Sequence, residues 1–171
     1  LIPMCALNVE KGMRLFMNIL AQILGALALL ILVISYQQTV RKRFLFLQIF
    51  SNTFYSLQYL VLNAYTAMLT CIVSVFKTLI FYNSNKNDKD TSVLTLISLE
   101  IIYIIIGVFT YTSLYSLIPI VIACIYTYGT WQKELKITYI IGVFSSVLWI
   151  IYNIIVGAYV SVISNFFELF A

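Results

Sequence analysis

The stretch Phe44–Phe76, FLFLQIFSNTFYSLQYLVLNAYTAMLTCIVSVF, contains no Asp, Glu, Lys or Arg. A helix crossing the ~30 Å hydrocarbon core of a bilayer needs about 20 residues. The run is too long for one crossing and fits two, joined by a tight uncharged turn at Leu62-Asn63-Ala64-Tyr65. Three more runs lack charge: Leu15–Val40, which fits one span, and Ile101–Gln132 and Ile137–Asn165, which fit two each. The fold class that follows is an all-α membrane protein.

Composition agrees. Hydrophobic residues make up 63% of the chain and charged residues 9%, with a mean hydropathy of +1.02. Soluble domains carry roughly 25% charged residues, because a water-facing surface needs them. Ten Lys and Arg with six Asp and Glu cannot cover a globule of 171 residues, so most of the surface faces the lipid bilayer. The net charge of +4 does not point to nucleic acid, because the basic residues sit in short loops between apolar runs, where they flank a membrane. Histidine is absent, which removes the commonest acid–base group and metal ligand. Cys5, Cys71 and Cys124 are far apart and lack metal-ligand spacing, so they read as small apolar residues. No phosphate loop or nucleophile elbow occurs. The expectation is no enzyme, no metal and no cofactor.

Along the chain the helices are predicted at about 15–36, 44–62, 65–82, 93–111, 115–131, 137–156 and from 158, with Pro119 in the first turns of the fifth. Residues 1–14 read as an N-terminal tail, with Met13 a plausible start; the short seventh helix suggests that the natural chain continues past Ala171. Lys11 and Arg14 precede an apolar run too long for a signal peptide, and no cleavage site follows it. The loops after helices one, three and five hold Arg41, Lys42, Arg43, Lys86, Lys89, Lys133 and Lys136, whereas the other side has only Lys11 and Arg14. Basic loops stay cytoplasmic, which predicts N-terminus out and C-terminus in.

An internal repeat organises these helices. A shift of 94 residues lays 22–77 on 116–171 without a gap, with eight identities. Among them the turn Ala64-Tyr65 meets Ala158-Tyr159, and Lys42 meets Lys136 in the basic loops. A three-helix unit reverses direction, so a single helix between two such units restores a parallel arrangement. The predicted plan is therefore 3+1+3: a first triple-helix unit at 15–82, a linker helix at 93–111 and a second unit at 115–171, as in parallel-repeat transporters.

The run Leu57-Gln58-Tyr59-Leu60-Val61-Leu62-Asn63-Ala64-Tyr65, the later Lys77-Thr78-Leu79-Ile80, and Trp149-Ile150-Ile151-Tyr152-Asn153-Ile154-Ile155-Val156-Gly157 resemble bacterial YgjV-type inner-membrane proteins over about 20–165. Lys77 stands where that family usually carries arginine. More distantly the plan is similar to SWEET and PQ-loop transporters and to PnuC vitamin carriers, although Gln22 and Gln38 lack the preceding proline that names the PQ-loop group. The resemblance implies a bacterial inner-membrane location and a substrate pocket between the two units near mid-membrane.

Ionisable groups at membrane depth are costly, ~2.5–3.5 kcal/mol for a central charge, and mark function by default. Lys77, Glu100 and Glu168 qualify. At ~1.5 Å per residue, Lys77 and Glu100 lie about 8 and about 10 Å from the cytoplasmic ends of neighbouring helices, so a structural ion pair between them is expected. Glu168 lies about 14 Å into helix seven. It shares a face with Ser161 and Asn165 at i, i+4, i+7. Ser146, Trp149 and Asn153 form a comparable face on helix six, and Gln48, Asn52, Tyr55 and Tyr59 another on helix two. Aromatics flanked by amides and a carboxylate suit a small polar solute; the plainer reading is that these groups bond neighbouring helices. The candidate binding residues are Asn52, Tyr55, Trp149, Asn153, Asn165 and Glu168. The expected function is a facilitator or ion-coupled carrier for a small polar metabolite, with a non-transporting receptor or accessory scaffold as the alternative. A homo-oligomer is compatible with either.

Overall fold

The computed structural model describes residues 2–87 and 90–170; the side chains of 2–10, 168 and 170 lie outside the described residues. Among those described there are seven α-helices: α1 (Ile2–Tyr36), α2 (Arg41–Val61), α3 (Tyr65–Lys86), α4 (Val93–Phe109), α5 (Ile118–Trp131), α6 (Leu135–Val156) and α7 (Tyr159–Phe170), with a 3-10 turn at Leu114–Leu117 before α5. Four segments are long and apolar enough to cross a membrane: Lys11–Tyr36, Tyr65–Lys86, Leu114–Trp131 and Leu135–Val156; α4 is a shorter apolar helix.

Local chemistry explains the boundaries. Ser92 caps α4 by accepting from the Leu94 amide at 3.1 Å, as an N-cap serine does. Pro119 sits in the first turn of α5, where the missing N–H has no intrahelical partner to lose. Helix α2 ends with Asn63 in the left-handed region (φ 56), and α6 with Gly157 (φ 76). At the first turn Ala64 N bonds Tyr59 O at 2.9 Å and Asn63 N bonds Leu60 O at 3.1 Å; at the second, Ala158 N bonds Asn153 O at 2.9 Å and Gly157 N bonds Ile154 O at 3.4 Å. Both are the paired reverse bonds that satisfy the last carbonyls of a helix.

Several boundaries differ from expectation, and α3, expected to end at 82, runs on to Lys86. Residues 2–14, read as a tail, continue α1. Arg41, read as loop, opens α2; its guanidinium donates to the Thr130 carbonyl, one of the unsatisfied acceptors at the C-terminal end of α5, where a cation is favoured. Residues 114–117 wind as a 3-10 turn ahead of α5.

Helix α2 packs between α1 and α3, and α6 between α5 and α7. Contacts of α1 with α7 and of α3 with α5 join the two sets, and α4 lies against α5 and α3. Gly25 allows α1 and α2 to approach closely, since a Cβ there would stand 2.5 Å from the Gln58 amide nitrogen.

The distribution of polarity is the reverse of a soluble protein's. Gln48, Gln58, Lys77, Asn153 and Asn165 are buried, whereas Phe109, Phe144, Leu94 and Val108 are each more than 70% exposed. Apolar side chains on such a scale face outward only where the surroundings are apolar. Helix α2 is long enough to span but falls below the others in hydropathy, because its polar face, with Gln48, Ser51, Ser56 and Gln58, turns into the bundle.

Candidate solute site

Helix α2 places Gln48, Asn52, Tyr55 and Tyr59 along one stripe at helical spacing. That stripe walls a cavity of about 80 Å³ inside the bundle, opposite Ser145, Trp149 and Asn153 of α6. Helix α3 adds Ser74 and Lys77, α5 adds Tyr126, and α7 adds Asn165. Of the residues expected to form a binding site, Asn52, Tyr55, Trp149, Asn153 and Asn165 all line this one cavity. The Glu168 side chain lies outside the described residues.

One end is built from aromatic rings. Tyr59 stacks on Trp149 at 5.8 Å between centroids with 13° between planes, and Tyr55 stacks on Tyr59 at 6.4 Å and 25°. The Tyr59 hydroxyl donates to Asn153 Oδ1 at 2.7 Å, and Asn153 Nδ2 donates to Asn165 Oδ1 at 2.9 Å. Tyr55 and Ser164 share a hydrogen bond of 2.8 Å. These groups join α2, α6 and α7, so the amides of Asn153 and Asn165 serve packing as well as lining. Asn52 donates to the Gln48 carbonyl of its own helix at 2.8 Å. Tyr59 and Trp149 belong to an apolar cluster with Ala67, Cys71, Tyr152 and Ala158, which closes the cavity beneath the two left-handed turns. A second cluster, centred on Phe44, Leu45 and Phe81 with Tyr36 and Tyr139 against it, lies towards the basic loops.

Lys77 is 2% exposed. Its ammonium donates to Thr127 Oγ1 at 3.4 Å and lies 5.2 Å from the centre of the Tyr126 ring, a cation–π arrangement. The ion pair expected between Lys77 and Glu100 is not made at contact distance. Among the described residues the ion pair within contact distance is Lys133–Asp90, whereas Glu100 faces the Cys124 thiol and acts on Lys77 through space. Adjacency in sequence set the depths of the two residues but not the rotation of their helices, and it is rotation that turns Lys77 to the cavity. The Ser145 hydroxyl is buried with no hydrogen-bond partner. No three metal-ligating side chains cluster among the described residues.

Sequence reasoning placed Lys77 outside the site and passed over Ser145 and Tyr126. For Lys77 the signal was its depth; Tyr126 lies in an apolar run with no polar stripe to mark its face. The family model Imp-YgjV, described as bacterial inner membrane protein, matches residues 19–171. No curated protein and no solved structure matches the chain.

Proposed function

The chain belongs to the YgjV family of bacterial inner membrane proteins, and from that premise we propose that it is a carrier, facilitating or ion-coupled, for a small polar solute bound between two triple-helix units. The observation that carries the reading is the cavity itself: polar side chains from α2, α3, α6 and α7 converge on it in a protein whose outer surface is apolar. Polar groups are costly at that depth, and a set of them around a void suits a ligand better than a solid interface does.

The proposed architecture is the 3+1+3 plan, α1–α3 and α5–α7 around α4, with all seven helices crossing the membrane. Its support is the spacing of 94. Helices α2 and α6 open at 41 and 135, and α3 and α7 at 65 and 159; the left-handed residues that end α2 and α6 are 63 and 157, whereas Lys133 (φ 63) has no left-handed counterpart at 39. Tyr59 and Asn153, which occupy equivalent positions under that shift, hydrogen-bond each other. Such a contact is what an axis relating the two units would produce where it passes. Rocking of one unit against the other around the cavity would expose it to either side in turn. The reading assigns the protein no catalytic step.

Uptake of a labelled mixture of small metabolites into vesicles holding the purified protein tests the proposal. One or more solutes should enter only with the protein, and Trp149→Ala and Glu168→Gln should abolish that entry while the fold persists. Solute binding without flux would favour the receptor reading. Unfolding of both variants would make the polar faces packing alone.

A further inference from the structure

We infer that the solute taken by this cavity is a small monoanion, of the carboxylate class, held by the Lys77 ammonium. The inference rests on the proposed solute site and narrows it to one charge. An ammonium has three donors and no acceptor. The hydrogen bond that Lys77 makes, at 3.4 Å, is to Thr127 Oγ1, and the proton of that hydroxyl is committed to the Ala123 carbonyl at 2.6 Å. The Tyr126 ring attracts the cation at 5.2 Å but offers no lone pair in line with an N–H. Among the described residues no carboxylate reaches contact with it, and Glu100, the one that acts on it through space, is not part of the cavity wall. A cation withdrawn from water in this way is costly unless something completes its shell. The cavity that Lys77 lines is the place where that partner fits.

Ser145 supplies a second donor on the α6 wall of the same cavity, buried and unpartnered. A carboxylate has one oxygen for the ammonium and one for a hydroxyl, and its single charge balances a single lysine. A phosphate monoester would bring two negative charges to one ammonium and strand the excess at membrane depth. A neutral solute would leave the ammonium as it stands. The cavity of about 80 Å³ limits the solute to a few heavy atoms.

The test uses Trp149 as reporter. The chain has two tryptophans, so Trp131→Phe leaves Trp149, on the cavity wall, as the sole tryptophan, read by exciting beyond the tyrosine absorption band. The full chain in lipid nanodiscs is titrated with two- to four-carbon monocarboxylates and with their primary amides. A saturable change is expected with at least one acid, about tenfold or more tighter than with its amide, as loss of a charge-assisted hydrogen bond would give. Lys77→Met should erase that preference, Lys77→Arg should keep part of it, and Lys77→Met without solute should melt no lower than its parent. If an amide binds as tightly as its acid, and Lys77→Met alters neither, the anion assignment is overturned while the solute site survives. If no acid and no amide binds, the anion assignment falls, and the solute site is then judged by the uptake measurement alone. A Lys77→Met variant that melts lower or does not fold makes the ammonium a structural group and overturns the inference, and Lys77→Gln checks that the loss does not come from methionine.

Discussion

Gln22 shows how a single side chain joins the two ends of the chain. Its Nε2 donates to the Gly157 carbonyl at 3.0 Å, and its Oε1 accepts from the Val160 amide at 3.0 Å. One amide thus ties α1 to the turn between α6 and α7 and satisfies one of the first, otherwise unpaired N–H groups of α7. Gln22→Leu would leave a half-buried carbonyl and N–H without this partner, at about 1–3 kcal/mol. The variant should melt several degrees lower in detergent, and an unchanged melting temperature would show that water replaces the glutamine. The contact was not legible in the sequence, where Gln22 is one polar residue in a long apolar helix. The face of α2 was legible, because four polar or aromatic residues recur on it at helical spacing and nothing else explains them. A lone polar residue carries no such periodicity, and for the same reason Ser145 went unnoticed.

At the scale of elements, the two left-handed turns make comparable but unequal demands. Gly157 has φ 76, and a Cβ there would meet nothing within 4 Å, so Gly157→Ala should cost roughly 1 kcal/mol through backbone strain alone. Asn63, at φ 56, already carries a side chain there, and its Oδ1 accepts from the Tyr65 hydroxyl at 3.0 Å in an exposed bond. Asn63→Gly should therefore be near neutral. Thermal melts of the two variants measure the difference; equal and opposite shifts would be wrong for this geometry. The helix ends at 36, 156 and 131 were legible because a polar or glycine residue interrupts each apolar run. The start of α2 was not, because three successive basic residues look like loop. Only the fold brings the open carbonyl of Thr130 to Arg41. Hydropathy alone would pass over α2, whose buried polar face lowers it; the absence of charge from 44 to 76 is what marks the helix.

For the whole molecule, the connections divide into two sets. Arg41 reaches Thr130, Trp131 Nε1 donates to the Thr91 carbonyl at 2.9 Å, and Lys133 pairs with Asp90. The connections after α1, α3 and α5 therefore lie on one side, and the Lys133 ammonium holds the Asp90 carboxyl below the usual carboxylate range. Thr66 donates to the Thr110 carbonyl at 3.3 Å, which places the turn after α2 beside the end of α4 on the other side. The first set and the helix turns that flank it hold Arg41, Lys42, Arg43, Lys86, Lys133 and Lys136, and the second set holds no lysine or arginine. That asymmetry favours keeping the first set in the cytoplasm, since short loops rich in Lys and Arg are not translocated. Asn87→Cys and Thr112→Cys sample the two sets at exposed positions, in a background where Cys5, Cys71 and Cys124 are replaced. In intact cells an impermeant maleimide should label Thr112→Cys readily and Asn87→Cys only after the membrane is opened. Labelling of Asn87→Cys from outside would invert the orientation and put the Phe44 cluster, not the Tyr59–Trp149 stack, nearer the periplasm. Because Lys77 lies towards the basic-loop end of α3, the expected labelling also places the ammonium in the cytoplasmic half of the cavity. An anion arriving from outside would then pass the aromatic stack before it meets the charge.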